Sequence, residues 1–448
     1  MRVPRRHRFA TRETTSELFR RLPRDRRFRW APAGGASTFG CAPVLVREGG
    51  SASFASELGE SVPRVPLAAP GGSFPGGWIG FVSYERGYPL VGLEPESAAR
   101  AGAPHSWFGL YDTFARHDPA RGEVEVVSWG WTHGDHFDAR LALDRAEALE
   151  ESLRHARGAP PEPFDAGEPR ASLTEPEHAA RVREILHAIR RGDIYQANLT
   201  VRFDVDCTGD GVPLFERLVA ENPAPYAAFL EAGSHTIISC SPERLLRARG
   251  RHVESRPIKG TARRSTDPAE DDRLASELVA SAKDRAELLM ITDLVRNDLG
   301  KVCDYGTIHV PHLVQLESFP HVHHLVSTVR GRLRRDADVF TALEALFPFG
   351  SITGAPKRRA MEILRELETR PRGVYTGTVG WVGFDRSADF NVAIRTGQLV
   401  DGVFSFGAGG GIVADSEPRA EWEELLLKAK AFTLALRGAR DAPREVAT

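Results

Sequence analysis

The sequence predicts layered β-sheets combined with α-helices, not a helical bundle. Strand-like apolar runs alternate with long amphipathic stretches, tight glycine turns separate them, and no internal repeat is visible along the 448 residues. From Trp30 to Leu153 short apolar runs are cut by Gly and Pro, as in Gly76-Gly77-Trp78-Ile79-Gly80-Phe81-Val82-Ser83-Tyr84, and Val124–Trp129 reads as a strand. A helix is expected from Ala139 to Arg157. The Pro- and Gly-rich stretch that follows, Gly158-Ala159-Pro160-Pro161-Glu162-Pro163 and on to Pro169, is expected to sustain neither regular structure and to act as a linker. The next helix runs from about Glu175 to Arg191, with Glu175 and Glu177 in its first turn and Arg190 and Arg191 in its last, each sign suited to the helix dipole. Beyond it, strand-like runs (Tyr195–Val205, His235–Ser239, Gly377–Val382, Phe390–Thr396) alternate with helices over about Ser281–Gly300, Lys357–Glu368 and Glu421–Arg437. The expected organisation is therefore a basic, flexible leader over 1–29, an N-terminal region over 30–155, a linker over 156–172, a C-terminal region over 173–437 and a tail over 438–448.

Composition bounds the function classes. Hydrophobic (41%) and charged (27%) fractions are those of a soluble globular protein. A net charge of -2 supplies no field for nucleic acid or an acidic membrane, so an anionic substrate must be held by local cations. No apolar run is long enough to span a bilayer. Cys41, Cys207, Cys240 and Cys303 are scattered without CxxC pairing, which argues against a zinc site and for a reducing cytoplasm. The leader holds eleven arginines but no apolar core of a secretory signal, and Glu13, Glu17 and Asp25 do not suit a transit peptide.

Several segments carry chemistry. In Pro257-Ile258-Lys259-Gly260-Thr261 a lysine stands close in sequence to Arg256, Arg263 and Arg264, and nearby cations are expected to lower its pKa toward a neutral, nucleophilic amine. Taken alone, the same stretch reads as a solvated turn. Asp284 and Glu287, three apart, project from one helix face, and Glu421, Glu424 and Lys428 share a face of another. Carboxylates from two helices provide the hard oxygen donors that Mg²⁺ takes, although either pair alone reads as wet surface. The run Phe406-Gly407-Ala408-Gly409-Gly410-Gly411-Ile412-Val413 offers backbone N–H groups to an anion but matches neither a phosphate loop nor a dinucleotide fingerprint, and read locally it is a turn. No GxSxG, HExxH or Ser/His/Asp arrangement is present.

Together these segments resemble the chorismate-utilising enzymes, the family of anthranilate, aminodeoxychorismate, isochorismate and salicylate synthases. The resemblance rests on GDIYQANLT (Gly192–Thr200), SPERLL (Ser241–Leu246), RPIKGTARR (Arg256–Arg264), AELLMITDLVRNDLGKV (Ala286–Val302), HLVSTVRGRL (His324–Leu333), FPFGSITGAPKRRAMEIL (Phe347–Leu364), GVYTGTVG (Gly373–Gly380), FNVAIRT (Phe390–Thr396) and GGGIVADSEPRAEWEELLLKAKA (Gly409–Ala431). GGWIGFVSYE (Gly76–Glu85) is the best match in the N-terminal region. The fold it implies is α+β, two large antiparallel β-sheets packed together with helices outside. It implies Glu287 and Glu424 as direct Mg²⁺ ligands, with Asp284 and Glu421 acting through water. Tyr375, Arg395 and the backbone at Gly411 match groups that hold the enolpyruvyl carboxylate, and Lys428 one near the ring carboxylate. Glu243 matches the general acid at the departing C4 hydroxyl, His324 a histidine lining the pocket and Thr353 a pocket hydroxyl.

Two positions separate the branches of the family. Where isochorismate and salicylate synthases carry a water-activating lysine, this chain has Gln196, which lacks useful basicity near neutral pH. Where anthranilate synthases carry a small residue, it has Lys259, as aminodeoxychorismate synthases do. The resemblance therefore implies amination of chorismate at C4 through a covalent Lys259 intermediate, toward p-aminobenzoate and folate; amination at C2, giving anthranilate, is the alternative. It also implies a separate glutamine amidotransferase subunit as the ammonia source, since no G-x-C-x-G elbow is present, and a downstream lyase acting on the product. Phe349 departs from the family pattern, where a smaller residue is common. No LLES-like tryptophan-regulation motif is seen.

Overall fold

In a computed structural model, the described residues are 4–49, 53–54, 58–59, 65, 73–96, 103–134, 136–158 and 163–437. The expected tail over 438–448 lies outside them. Two antiparallel sheets form the frame, one of thirteen strands and one of ten. Between them lies an aromatic core. Phe28, Trp30, Tyr226 and Ile237 come from the first sheet, and Ile79, Phe81, Trp107 and Trp381 from the second. The outer face of the first sheet is covered by helices Thr15–Arg20, Ala139–His155, Gly211–Glu221 and Pro418–Arg437, through Phe19, Leu149, Phe215 and Phe432. Helices Ala282–Gly300 and Val339–Leu346 cover the second through Ile291, Val295, Phe340 and Leu343. The α+β architecture expected from the resemblance is the one observed. Among the described residues no helix is long and apolar enough to cross a membrane.

Several expectations are corrected. The described part of the basic leader carries regular structure: Arg5–Ala10 is a strand paired with Glu123–Ser128, and Thr15–Arg20 is a helix closed by a Thr14/Glu17 capping box. Several of its arginines meet carboxylates. Arg6 and Arg8 meet Glu125, Arg20 meets Glu216, and buried Arg27 meets Glu231. A cluster of one charge along the sequence is partly offset once distant carboxylates arrive. The linker also carries regular structure, because Asp165–Ala166 and Arg170–Ala171 pair with strand Gln196–Thr208. Nor do residues 30–155 and 173–437 form separate layers. Trp30 pairs with Ala228 in one sheet, and Gly80 with Gly380 in the other.

Two further differences shape the interior. The Gly407–Gly411 run is not a turn but part of the inner strand Val403–Ile412. Glycine there leaves room for groups arriving from other elements; a Cβ on Gly407 would lie 2.2 Å from the Tyr375 ring. The expected strand Phe390–Thr396 is split. Ala388–Asn391 belongs to the second sheet and Thr396–Val400 to the first, with Arg395 at φ 47° in the crossover. Apolar alternation continues through the crossing because both ends are buried, so periodicity alone does not reveal the break.

Candidate active site

Two of the places where the chain passes from one sheet to the other are neighbours, and candidate residues stand at both. Glu243 lies between His235–Ser241 of the first sheet and Arg244–Arg249 of the second. Arg395 lies in the return crossing. The crossings are tied together: Val392 N–H donates to the Glu243 carbonyl at 2.9 Å, and the Ser241 hydroxyl to the Val392 carbonyl at 2.6 Å. Gln196 opens one inner strand and Gly411 ends its neighbour, while Lys259 sits on the edge strand Ile258–Arg263 beside His324 on Val322–Arg332. Asp284 and Glu287 come from helix Ala282–Gly300, and Glu421, Glu424 and Lys428 from helix Pro418–Arg437.

Lys259 is the centre of this group. Its Nζ is 3.7 Å from Glu287 Oε2, and its side chain is 15% exposed. Burial lowers its pKa and Lys428 adds to the effect, while Glu287, Glu243 and Glu424 oppose it. The direction agrees with the sequence reading but the cause does not. Arg256 is paired with Glu317, Arg263 with Glu270 and Arg264 with Asp271, so these arginines are not what depresses Lys259. A Cβ on Gly411 would lie 2.6 Å from Gln196 Nε2 and 3.4 Å from Lys259 Nζ, which places both nitrogens at one backbone position. Gly260, at φ +81°, gives the lysine its setting, since the adjoining helix brings Asp284 Cβ within 3.0 Å of where a side chain would begin.

Glu243 is buried, and burial raises its pKa to about 7 even though the Ile258 amide, the Ser351 hydroxyl and Lys259 all favour the charged form. The amide donates to Oε1 at 3.1 Å and the hydroxyl to Oε2 at 3.2 Å. Gln196 is fully buried with neither amide atom bonded. An unpaired buried amide is costly, so the site carries polar capacity awaiting a partner. His324 receives or donates one bond through Nδ1 to the Thr261 hydroxyl at 2.9 Å, and its buried Nε2 has no partner. Burial, with Arg395 and His323 nearby, pushes its pKa down to about 4, so the imidazole is neutral at neutral pH.

The carboxylates of the two helices are held by cations. Lys428 Nζ lies 2.7 Å from Glu424 Oε1 and donates to the Gly409 carbonyl at 3.0 Å. Burial alone would raise the Glu424 pKa, but Lys428, Lys283 and Lys259 bring it below the usual range. Glu421 is buried, accepts from the Ser416 hydroxyl at 2.6 Å, and is raised by burial and by the charge of Glu424. Among the described residues no group of three or more His, Cys, Asp or Glu side chains is arranged to hold a metal ion. Arg395 makes no ion pair among the described residues, and burial lowers its pKa. A partly buried guanidinium without a counter-ion favours an incoming carboxylate.

Two further sequence-derived candidates have contacts of their own. The Thr353 hydroxyl donates to the Phe349 carbonyl at 2.9 Å and so closes its own turn. Tyr375 packs on Gly407, four residues before Gly411 on the same strand. Phe349 is 1% exposed within the core against helices Ala282–Gly300 and Val339–Leu346, a packing role for the larger ring. Sequence reasoning missed Ser351, Thr261 and Lys283. Ser351 and Thr261 lie inside segments already singled out, but nothing local shows that their hydroxyls meet Glu243 and His324. Lys283 adjoins Asp284, and only the packing of two helices brings its charge to bear on Glu421 and Glu424.

This frame, with Lys259 set among Glu243 at a crossing between the sheets and carboxylates of two helices, is that of a chorismate-utilising enzyme. The chain belongs to the chorismate binding enzymes, whose family profile matches residues 38–434. It is 40% identical to anthranilate synthase component 1 of Streptomyces coelicolor, over 86% of this chain and 77% of that protein. It is equally 40% identical to aminodeoxychorismate synthase component 1 of Salmonella typhimurium, over 82% of this chain and 78% of the relative. Among solved structures, anthranilate synthase component I from Streptococcus pneumoniae superposes with a TM-score of 0.76 at 29% identity, covering 89% of this chain and 92% of that one.

The closeness of Gly411 to both nitrogens gives a direct prediction. Gly411→Ala is expected to displace the Gln196 amide and crowd Lys259, lowering kcat/KM for chorismate by about 10- to 100-fold, the scale for a misplaced reacting group. The flexible amide can yield, so the thermal unfolding midpoint should change little. Steady-state kinetics beside a melting curve check this, and unchanged kinetics would place Gln196 and Lys259 outside the reacting centre.

Proposed function

We propose that this chain is an aminodeoxychorismate synthase component I, converting chorismate and ammonia to 4-amino-4-deoxychorismate through a covalent bond to Lys259. The observation that carries this reading is the buried Lys259 amine, lowered in pKa and sharing one backbone position with an amide that cannot act as a base. With Gln196 in place of a water-activating lysine, the nucleophile nearest the ring is the Lys259 amine. Attack of neutral Nζ on C2 moves the ring double bonds and breaks the C4–O bond, and Glu243 gives its proton to the departing hydroxyl, which leaves as water. Ammonia then attacks C4, the double bonds return, and the C2–N bond breaks to release the lysine as a neutral amine. The excess proton on the new C4 nitrogen passes to the Glu243 carboxylate, and both residues return to their starting forms. Two displacements thus put nitrogen where the hydroxyl was, with two easier steps replacing one.

Substrate placement follows from the charges. Arg395, which makes no ion pair among the described residues, is assigned the enolpyruvyl carboxylate, with the Gly411 backbone and Tyr375 completing that subsite. Lys428 is assigned the ring carboxylate, and His324 and Thr353 the pocket wall. Glu287 and Glu424, with Asp284 and Glu421 acting through water, would hold Mg²⁺. The donor type suits the ion, since all four are hard carboxylates from two helices, and a cation would offset the Glu424 charge that adds to burial in raising Glu421; as they stand, no three of them are grouped to hold it, so binding would have to draw them together. The ion would supply positive charge for a substrate carboxylate. We further assign the ammonia supply to a glutamine amidotransferase subunit, the product to a downstream lyase forming p-aminobenzoate for folate, and the enzyme to the cytoplasm.

The Streptomyces coelicolor relative favours a second reading, anthranilate synthase component I. Incubation with chorismate, Mg²⁺ and an ammonium salt separates the two. The expected product, resolved by chromatography and mass spectrometry, is 4-amino-4-deoxychorismate, which yields p-aminobenzoate only after a lyase is added. Fluorescent anthranilate formed without a lyase would reject the proposal.

A further inference from the structure

Far from the Lys259 group, on the second sheet, strands Arg244–Arg249, His252–Arg256 and Val322–Arg332 present a cleft of about 470 Å³. Along these strands the side chains alternate. Ala248 and Val253 join the helix-covered core, while Arg247, Arg249, His252, Arg330 and Arg332 line the cleft. The one carboxylate in the lining, Glu254, already accepts from Arg244 and Arg330 at 2.8 Å each. Arg332 meets Asp304 at 3.0 Å. Arg247 and Arg249 make no ion pair among the described residues. Arg247 is half-buried, and burial together with Arg244 and Arg249 lowers its pKa, while Asp389 and Glu254, opposite it on the neighbouring strands, offset this only in part. Such crowding of cations costs stability unless an anion relieves it.

We propose that this cleft is a second binding site, for a small ligand bearing two or more phosphoryl groups. Four guanidinium forks around one concavity suit phosphoryl oxygens, which they grip in pairs, and a volume of this size accommodates a small molecule. A nucleic-acid polymer is disfavoured because the whole chain carries a net charge of -2, leaving the cationic field confined to the cleft. The site is separate from the reaction centre. His324 and Arg330 occupy the same strand six residues apart, roughly 20 Å at strand spacing.

Inorganic pyrophosphate titrated into the full chain by calorimetry, without Mg²⁺ and at fixed ionic strength, tests the proposal. One saturable site with Kd below about 1 mM is expected, with orthophosphate binding at least tenfold more weakly. Pyrophosphate should also raise the melting midpoint. The double variant Arg247→Gln/Arg249→Gln orphans no carboxylate and should weaken binding at least tenfold, without lowering the ligand-free melting midpoint. Arg249→Glu, as a second variant, should abolish saturation. Absent saturation, undiminished affinity in the double variant, equal affinity for orthophosphate, or tighter binding of an oligoglutamate peptide at the same arginines would each overturn the proposal, the last in favour of a protein partner.

Discussion

Lys259→Ala is expected to reduce formation of 4-amino-4-deoxychorismate by roughly 10³- to 10⁶-fold, the scale on which removal of an enzymatic nucleophile acts. Deleting the amine does more than empty a space. It removes the only group assigned to attack C2, and it leaves Glu287 without the ammonium now 3.7 Å away. A loss could therefore come from charge, and Lys259→Arg separates the two causes. Arginine keeps a cation near Glu287 but stays protonated at any working pH, so it binds without attacking. The expected pattern is near-normal KM with a collapsed kcat for Lys259→Arg, and both parameters damaged for Lys259→Ala. Any residual amination in Lys259→Ala should move toward C2, because direct attack by ammonia is the route left, and a rise in anthranilate fluorescence would report it. Unchanged yield and regiochemistry in both variants would exclude the covalent step. Peptide mapping of the wild type quenched during turnover supplies an independent reading, a mass increment on the Lys259 peptide.

Much of this centre was legible in the sequence because it lies in contiguous segments. Lys259 in its PIKGT setting, the i, i+3 carboxylates of two helices and the glycine run each stand out locally. What sequence could not show is how the segments meet. Arg256, Arg263 and Arg264 look like the natural cause of a depressed lysine pKa, yet each finds a carboxylate from another element, and burial takes their place as the cause. The arginine-rich leader misled in the same way, since Glu125, Glu216 and Glu231 are far away along the chain and adjacent in space. The glycine run misled for the opposite reason. Locally a string of glycines has no reason to be a strand; it becomes one because neighbouring strands fix the backbone, while Tyr375 and Gln196 occupy the space that side chains would need. The split of Phe390–Thr396 was hidden because apolar periodicity reports burial, not which sheet provides it. Arg395 gains its position from that hidden crossing.

Glu243→Gln is expected to lower kcat by about 10²- to 10⁴-fold, the range for loss of a positioned acid or base, with KM little changed. The amide keeps the shape and, through its oxygen, the bond from the Ile258 amide, while its NH₂ can donate to the Ser351 hydroxyl, but it cannot give a proton to the leaving C4 hydroxyl. The wild-type pH profile should identify the same group. Burial raises the Glu243 pKa to about 7, so the acid form that protonates the leaving group is present below that pH and is lost as pH rises through it. Lys259 titrates in the opposing sense, since its reactive neutral form grows as pH rises. A neutral lysine with a protonated Glu243 has the same net charge as an ammonium facing a carboxylate, and the two states differ only in where one proton sits. The reactive state is therefore reached by internal transfer, without exchange with solvent, and desolvation favours it because it buries no charge. Binding of chorismate, which excludes water, should shift the balance further toward the uncharged pair. The descending limb of kcat near pH 7 should then move to higher pH relative to that of kcat/KM, and it should vanish in Glu243→Gln. A descending limb that survives this substitution unaltered would assign the acid to another residue.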